Sequence, residues 1–283
     1  MNILVTGGAG FIGYALSNKL LSLGHSVDVI DNLYIGKEAK IVEGAKFLGG
    51  DIRAMDSIPS KSYDFIYHLA ALSRIQPSFK NPRLTFSVNV EGTRQVLDYA
   101  RENGCKVIYS GSSSRHHDPE RSPYAMFKHM GEELCRLYQN CFDLNVQIAR
   151  FYNVYGPGEL VDSHMAAVIG IFRHQIQNNE PLTIVGDGEQ RRDFTHIEDI
   201  VDGLIRMMLQ RNHKGVWELG SGNNYSINEV VQMFKKRFGE SIKTVSLPNQ
   251  QGNYRETLRE NNDALHLLGW APQDRLQDYI NTL

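Results

Sequence analysis

The sequence predicts an α/β fold, a doubly wound parallel sheet with a smaller C-terminal domain interleaved with it. Three observations carry that expectation. Residues 1–31 read as strand, glycine-rich loop, helix, strand and acid. Strand-like and helix-like segments then alternate along the chain, which calls for right-handed crossovers and helices on both sheet faces. The 283 residues, 41% hydrophobic and 22% charged, suffice for one large or two modest domains with a real core.

The first strand is the apolar run Ile3-Leu4-Val5. Thr6-Gly7-Gly8-Ala9-Gly10-Phe11-Ile12-Gly13 follows at once. Ala15, Leu16, Leu20 and Leu23 then recur at helical spacing, and Gly24 is placed to end the helix. Val27-Asp28-Val29-Ile30 makes a second strand, with Asp31 at its C-terminal end. The glycines let the backbone turn tightly and approach a pyrophosphate, whose charge a helix N-terminus favours. Asp31, 18 residues after Gly13, is placed to accept hydrogen bonds from an adenosine ribose. The spacing is Gly-x-x-Gly-x-x-Gly, one residue different from the commoner dinucleotide fingerprint. The surrounding strand, helix and acid separate it from an ordinary tight loop.

Further along, Lys46-Phe47-Leu48 leads to Gly50-Asp51-Ile52, and Phe65 to Leu69 is a buried strand ending in Ala70-Ala71. Val88 to Asn103 reads as a helix with Val88, Val96, Leu97 and Ala100 on one side. Lys106 to Ser110 is a strand, Tyr124 to Asn140 a helix and Val146 to Phe151 a strand. Glycine, proline and charge interrupt the pattern at Gly156-Pro157-Gly158, where a soft boundary falls. Ile197 to Leu209 and Val216 to Leu219 return to sheet-and-helix character. Ser226-Ile227-Asn228-Glu229 is a capping box opening a helix through Phe238. The division expected is residues 1–157 with 195–221 as one domain, and 158–194 with 222–283 as the smaller one.

A net charge of −2 offers no electrostatic argument for nucleic acid or an anionic membrane. The longest apolar run, Met165 to Phe172, is far too short to span a bilayer. The chain enters a core strand with no basic leader, so no signal peptide is expected. Cys105, Cys135 and Cys141 lack metal or redox spacing and read as packed thiols in a reducing, cytoplasmic setting, with no metal site expected.

In Ser122-Pro123-Tyr124-Ala125-Met126-Phe127-Lys128, Tyr124 and Lys128 are four apart and share a helix face. A neighbouring ammonium, together with the positive nicotinamide of an oxidised cofactor, would favour phenolate and lower the tyrosine pKa, which suits Tyr124 to act as acid or base on a substrate hydroxyl. Such a pair is weak evidence alone, but here it follows a strand ending in serines in a chain with a dinucleotide loop.

These residues resemble the extended short-chain dehydrogenase/reductase family, the nucleotide-sugar epimerases and dehydratases built on a Rossmann domain. The matching stretches run almost end to end. They include Thr6 to Gly13, Asp31-Asn32-Leu33, Asp51-Ile52, His68 to Ala71, Asn89 with Gly92-Thr93, and Ser110 to Ser114. Tyr124 with Lys128, Arg150 to Pro157, Gly186 to Phe194 and Leu268-Gly269-Trp270 complete them. The resemblance implies NAD as cofactor, held by Gly7, Gly10, Phe11, Ile12, Gly13, Asp31, Asn32, Asp51, Ile52, Leu69, Ala70, Ala71, Asn89, Ser110, Tyr124 and Lys128. It implies a catalytic set of Ser112, Tyr124 and Lys128, with Ser112 polarising the substrate. Asn153 and Arg192 match groups that hold a nucleotide diphosphate. It further implies a homodimer through the helices at 88–103 and 124–140, where Leu134 and Leu137 supply apolar positions, with the sheet as the other surface they could face.

Departures from the pattern are informative. Ser112 and Tyr124 are only 12 apart, a shorter loop than relatives have, so the sugar pocket should be more open or covered by something else. Arg115-His116-His117 replaces the usual Val-Tyr-Gly. The two histidines read as solvated loop residues, with substrate contact or metal binding as alternatives. Gln250-Gln251-Gly252-Asn253 stands where many relatives carry an arginine, and Arg255 is the candidate replacement for the diphosphate. Ser113 and Ser114 occupy the positions at which the family's dehydratases carry an Asp-Glu pair, so dehydration is not expected. Asp31 should exclude the 2'-phosphate of NADP, with Lys37 the one nearby cation that could spoil this. The function expected is an NAD-dependent nucleotide-sugar 4-epimerase. A keto-sugar reductase or dehydrogenase, or a catalytically silent NAD-binding module, is the alternative.

Overall fold

The computed structural model describes residues 1–35, 39–58, 61–210 and 213–283. The opening segment forms β1 (Asn2–Thr6), α1 (Phe11–Ser22) and β2 (Ser26–Asp31), followed by β3 (Lys46–Gly49) and β4 (Phe65–His68). Helices α2 (Ile75–Lys80) and α3 (Pro82–Phe86) come next, then a π-helical turn at Ser87–Gly92 and α4 (Thr93–Asn103). The helix expected from Val88 thus starts six residues earlier, at Pro82. Asn81 caps it by accepting from Leu84 N, and proline suits the first helical position. The wide turn places Asn89 off the regular helical register, as such bulges do beside functional sites.

Next come β5 (Lys106–Ser112), α5 (Pro123–Phe142) and β6 (Val146–Phe151). The seven strands of the main sheet are all parallel, in the order β11-β6-β5-β4-β1-β2-β3, with β11 (Val216–Leu219) on the edge beside β6. This is the doubly wound architecture expected. α1 and α7 (Ile197–Leu209) cover one face, burying Leu16, Leu20, Ile200, Leu204 and Trp217. α4 and α5 cover the other with Val96, Leu97, Cys135 and Tyr138. Each fully buried large aliphatic side chain contributes roughly 1.5–3 kcal/mol. Leu134 packs against this second core, whereas Leu137 remains 48% exposed.

The remaining elements gather at the C-terminal edge of the sheet. They are β7 (Val154–Tyr155), α6 (Val168–Gln177), β8 (Leu182–Val185), β9 (Arg191–Asp193), β10 (Thr195–His196), β12 (Asn224–Ser226), α8 (Ile227–Phe238), β13 (Thr244–Leu247), α9 (Asp263–Leu268) and α10 (Leu276–Thr282). The strands pair as three short ribbons, β7 with β10, β9 with β12 and β8 with β13. A third core of Phe172, Leu182, Val230, Phe234 and Ile280 lies under them. The exception is α9, which packs through Ala264 and Leu268 into the first core beside α7 and β11. Both bonds of the capping box at α8 form, Glu229 N to Ser226 Oγ at 3.1 Å and Ser226 N to Glu229 Oε2 at 2.6 Å. Cys105 and Cys135 are buried free thiols and Cys141 is exposed. Among the described residues no helix is long and apolar enough to cross a membrane, and no acid, histidine and cysteine group is placed to hold a metal ion.

Candidate active site

Sheet order reverses between β1 and β4, and a cavity of about 780 Å³ opens there at the C-terminal ends of the strands. Such switch points are where open α/β sheets bind ligands. The glycine loop forms one wall. Gly7 has φ +71° and lies so close to the next strand's loop that a Cβ would sit 2.7 Å from Ala70 N. A Cβ on Gly13 would sit 2.2 Å from the Gly7 carbonyl oxygen. Side chains are excluded, so α1 begins directly on the cavity wall with its first backbone N–H groups available to an anion. Asp31 is held in place from behind. Its Oδ2 accepts from Ala9 N at 3.0 Å and its Oδ1 from Leu33 N at 2.7 Å. Burial raises the Asp31 carboxyl, and these two bonds work against that rise. Each oxygen keeps a further lone pair for a ribose hydroxyl. Asp51, held at about 2 chiefly by its hydrogen bond from Arg53, also accepts from Asn32 at 2.8 Å. Gly10, Phe11, Ile12, Ile52, Leu69, Ala70 and Ala71 complete this half. A cradle closed to side chains, leading to an oriented carboxylate, fits NAD. Lys37 lies outside the described residues.

The second half is built where β5 ends. Ser122 caps α5 by accepting from Ala125 N at 3.1 Å, and Pro123 starts the helix, so Tyr124 and Lys128 fall on its first two turns. Tyr124 donates its hydroxyl to Ser112 Oγ at 3.2 Å, despite the short loop between them. Lys128 donates to the Ser110 carbonyl, with Nζ 4.6 Å from the centre of the Tyr109 ring. Burial pulls Lys128 down to about 8, with Glu132 pushing back. The expected lowering of the tyrosine combines Lys128 with the positive nicotinamide of a bound cofactor, and the ligand-free protein holds only the first of these. Burial raises the Tyr124 pKa, and the groups acting against that rise are the Ser112 hydroxyl and Arg74. In the ligand-free protein Tyr124 is therefore a phenol, able to donate a proton to or share one with a bound oxygen.

Asn153 and Arg192 both line the cavity. Asn153 Nδ2 donates to the Asp193 carbonyl at 3.1 Å and Thr257 Oγ1 at 3.2 Å, leaving its carbonyl oxygen as an acceptor. Burial pulls the Arg192 guanidinium down to about 10. Two expected site residues lie elsewhere. Asn89 does not line the cavity; it is buried behind it, accepting from Leu72 N at 2.8 Å and donating to Leu72 O at 2.9 Å, which fixes the loop after β4. Arg255 points outward, its side chain 68% exposed and paired with Asp187 at 2.9 Å. Its neighbour Tyr254 lines the cavity instead.

The C-terminal segment walls the cavity beside the short loop between Ser112 and Tyr124. Gln250, Asn253, Tyr254 and Thr257 line the cavity, and Gln76 donates to the Gln251 carbonyl at 2.9 Å. The two loop histidines are not solvated. His116 is 14% exposed between Glu218 and Glu260, and His117 stacks on Tyr254 with ring centres 4.0 Å apart. Sequence reasoning also missed Arg74 and Glu159. Arg74 lines the cavity, its Nε donating to the Met165 carbonyl at 2.7 Å. Glu159 accepts from Tyr279 at 2.8 Å and is raised to about 7 by burial. Arg74 had a signal, a lone cation in the loop directly after a core strand, where such folds place ligands.

A dinucleotide cradle at a sheet switch point, with a tyrosine, lysine and serine converging at its edge, is the arrangement of a nicotinamide-dependent enzyme. More specifically, the chain belongs to the NAD dependent epimerase/dehydratase family, whose model matches residues 3–220. It is 30% identical over 295 residues to a putative UDP-glucose 4-epimerase of Methanocaldococcus jannaschii, covering 98% of this chain and 95% of that one. It is 29% identical over 297 residues to UDP-glucuronic acid decarboxylase 4 of Arabidopsis thaliana, covering 98% of this chain but only 66% of that longer one. Among solved structures, the UDP-glucose 4-epimerase of Thermotoga maritima with UDP-glucose superposes with a TM-score of 0.92 at 29% identity. That match covers 99% of this chain and 96% of the other. NAD is the family's cofactor.

Proposed function

We propose that this enzyme is a nucleotide-sugar 4-epimerase that works through a transient 4-keto sugar. The observation that carries the reading is the hydrogen bond from Tyr124 to Ser112 at 3.2 Å, with Lys128 one helical turn on and the dinucleotide cradle adjoining. NAD, when bound, supplies the acceptor and donor of hydride at the sugar C4. As the phenolate, which Lys128 and the positive nicotinamide of bound NAD would favour over the phenol of the ligand-free protein, Tyr124 takes the proton of the 4-hydroxyl and later returns it. Ser112 hydrogen-bonds the same oxygen and polarises it as it becomes a carbonyl. Lys128 holds the cofactor ribose, and its charge favours the phenolate at the moment of proton transfer. Asn153 and Arg192 anchor the diphosphate, leaving the sugar free to present either face. Asn89 acts indirectly, by fixing the loop of Leu69 to Ala71.

Dehydration is disfavoured because Ser113 and Ser114 are poor proton carriers near neutral pH. Among the described residues the acids lining the cavity are Asp31, Asp51 and Glu159. The first two belong to the adenosine end. The similarity to a decarboxylase favours a second reading, in which the same C4 oxidation precedes loss of a carboxyl group. A keto-sugar reductase would use the same residues with exchanging cofactor. The smaller domain, 158–194 with 222–283, holds the nucleotide sugar. The half-exposed Leu137 on α5 supports a homodimer through α4 and α5. Hexose and hexuronate nucleotides bearing UDP, dTDP, GDP and CDP, incubated with the protein and examined by mass spectrometry, test the reaction. Epimerisation leaves the mass unchanged. Loss of one water would refute the reading and point to Glu159, and loss of carbon dioxide would establish the second reading.

A further inference from the structure

We infer that His116 is a positioning residue that clamps the C-terminal segment 250–261 over the substrate half of the cavity, and that it does so as an imidazolium. His116 ends the short 3-10 turn Ser113–His116, directly after the serines that line the cavity. Its Nε2 lies 2.8 Å from Glu218 Oε1 and its Nδ1 2.9 Å from Glu260 Oε2. Each ring nitrogen therefore faces a carboxylate oxygen. A neutral imidazole has one N–H, so in either tautomer its other nitrogen would present a lone pair to an anion. Both contacts are satisfied only when both nitrogens carry protons.

The two carboxylates differ in freedom. Glu218 on β11 is 1% exposed, and its Oε2 accepts from the Tyr152 hydroxyl at 2.9 Å, Glu260 N at 2.7 Å and Asn261 N at 3.2 Å. Burial alone would raise Glu218, yet its bonds from His116, Glu260 N and Tyr152 hold it at about 2. It cannot leave. Glu260 is 60% exposed and can turn to water. Loss of the His116 proton therefore breaks the Glu260 contact. That removes the side-chain tie at Glu260, while the backbone N–H groups of Glu260 and Asn261 stay on Glu218, so the segment whose earlier residues Gln250, Asn253, Tyr254 and Thr257 wall the cavity loosens without being released.

The groups around His116 agree on sign. Glu218 and Glu260 face it and raise it, whereas burial and Arg150, at the end of β6, lower it; Tyr152 lies 3.1 Å from Nε2. His117, next on the same loop, stacks on Tyr254, and its own pKa is lowered by burial, with His116 and Arg192 adding to that. The balance leaves His116 above its ordinary 6.5. A raised folded value means the clamp is complete below pH 6.5 and is lost as pH rises through the folded value.

This inference rests on the proposed function only for the ligand used to read it. The test has two arms on the full-length enzyme with its cofactor. In the first, NMR follows the His116 ring protons against pH in the wild type and in Glu260→Gln. The wild-type midpoint should lie above 6.5 and fall by roughly 0.2–0.7 of a pH unit in the variant. A midpoint at or below 6.5, or one unmoved by Glu260→Gln, overturns the inference, whatever the substrate proves to be. The second arm measures KM and kcat against pH for the nucleotide sugar the enzyme converts. The wild-type KM should rise about two- to five-fold through the His116 titration while kcat does not follow. In His116→Gln the KM should be raised at every pH and the step absent. A KM step that persists unchanged in His116→Gln, or a loss of kcat alone, overturns the clamp. Should His116→Gln not fold, Glu260→Gln must lose the KM step in its place. If no nucleotide sugar is converted, the proposed function fails, and the first arm still decides the clamp.

Discussion

Replacing Lys128 with methionine should harm the enzyme and yet not destabilise the protein. Lys128 is 5% exposed, and burial holds its amine at about 8 against an ordinary 10.5. At 1.36 kcal/mol per pH unit that difference makes the charged form about 3 kcal/mol less favourable in the fold than in the unfolded chain. Methionine has similar reach and no charge, so it removes this cost. It also removes a charged hydrogen bond to the Ser110 carbonyl, worth about 1.5–3 kcal/mol. The net change at pH 7 is about 0 to 2 kcal/mol in favour of the variant, where a typical buried substitution loses stability. The pH dependence is a sharper sign. Between pH 8 and 10.5 the unfolded state binds more protons at this site than the folded state, so wild-type stability rises with pH there. The variant lacks that rise. Urea unfolding of both proteins, stripped of cofactor, should therefore show the wild type gaining about 3 kcal/mol on the variant from pH 7 to pH 10.5. Other titrating groups cancel between the two. A variant less stable by 2 kcal/mol or more at pH 7, by an amount independent of pH, would show that the fold does not shift this amine and would refute the reasoning.

Tyr124→Phe should lower kcat by about 10²- to 10⁴-fold and leave the bound cofactor measurable in an acid extract. Its stability should change by no more than about 1 kcal/mol, the bond to Ser112. NAD should bind far more tightly than NADP in a fluorescence titration, because the Asp31 carboxylate is oriented by Ala9 and Leu33 toward the cradle; comparable affinities would contradict that placement. Asn89→Ala leaves the Leu72 amide and carbonyl without their partners, at about 2–4 kcal/mol, and should lower Tm by roughly 4–12 °C. An unchanged Tm would mean that water replaces the side chain at no cost.

Legibility in the sequence follows the length of chain over which a feature is specified. The cofactor half is local. Strand, glycine loop, helix and Asp31 lie within one supersecondary unit, so their spacing carries the geometry. Tyr124 and Lys128 are legible for the same reason, as partners on one helix. The substrate half is assembled from distant segments, and there the reading fails in particular ways. His116 meets residues 218 and 260, which no local pattern connects, so it reads as a loop histidine although it is buried between charges. Arg255 and Tyr254 are adjacent, and only tertiary packing decides which one faces inward. Asn89 is recognised as part of the site by resemblance, but its bonds to Leu72 make it a support for the wall. The tyrosine pKa illustrates the limit most clearly. A lysine one turn away favours a lowered value, but in the ligand-free protein burial of Tyr124 outweighs the Ser112 hydroxyl and Arg74.

The central claim is that a single residue set oxidises and re-reduces the sugar C4 without net redox change. It is tested most directly with a nucleotide sugar carrying deuterium at C4, incubated with the purified protein and no added cofactor. The account predicts a C4 epimer of unchanged mass that retains its deuterium at C4. Deuterium lost to solvent, or conversion that proceeds only when cofactor is supplied and consumed, would contradict it.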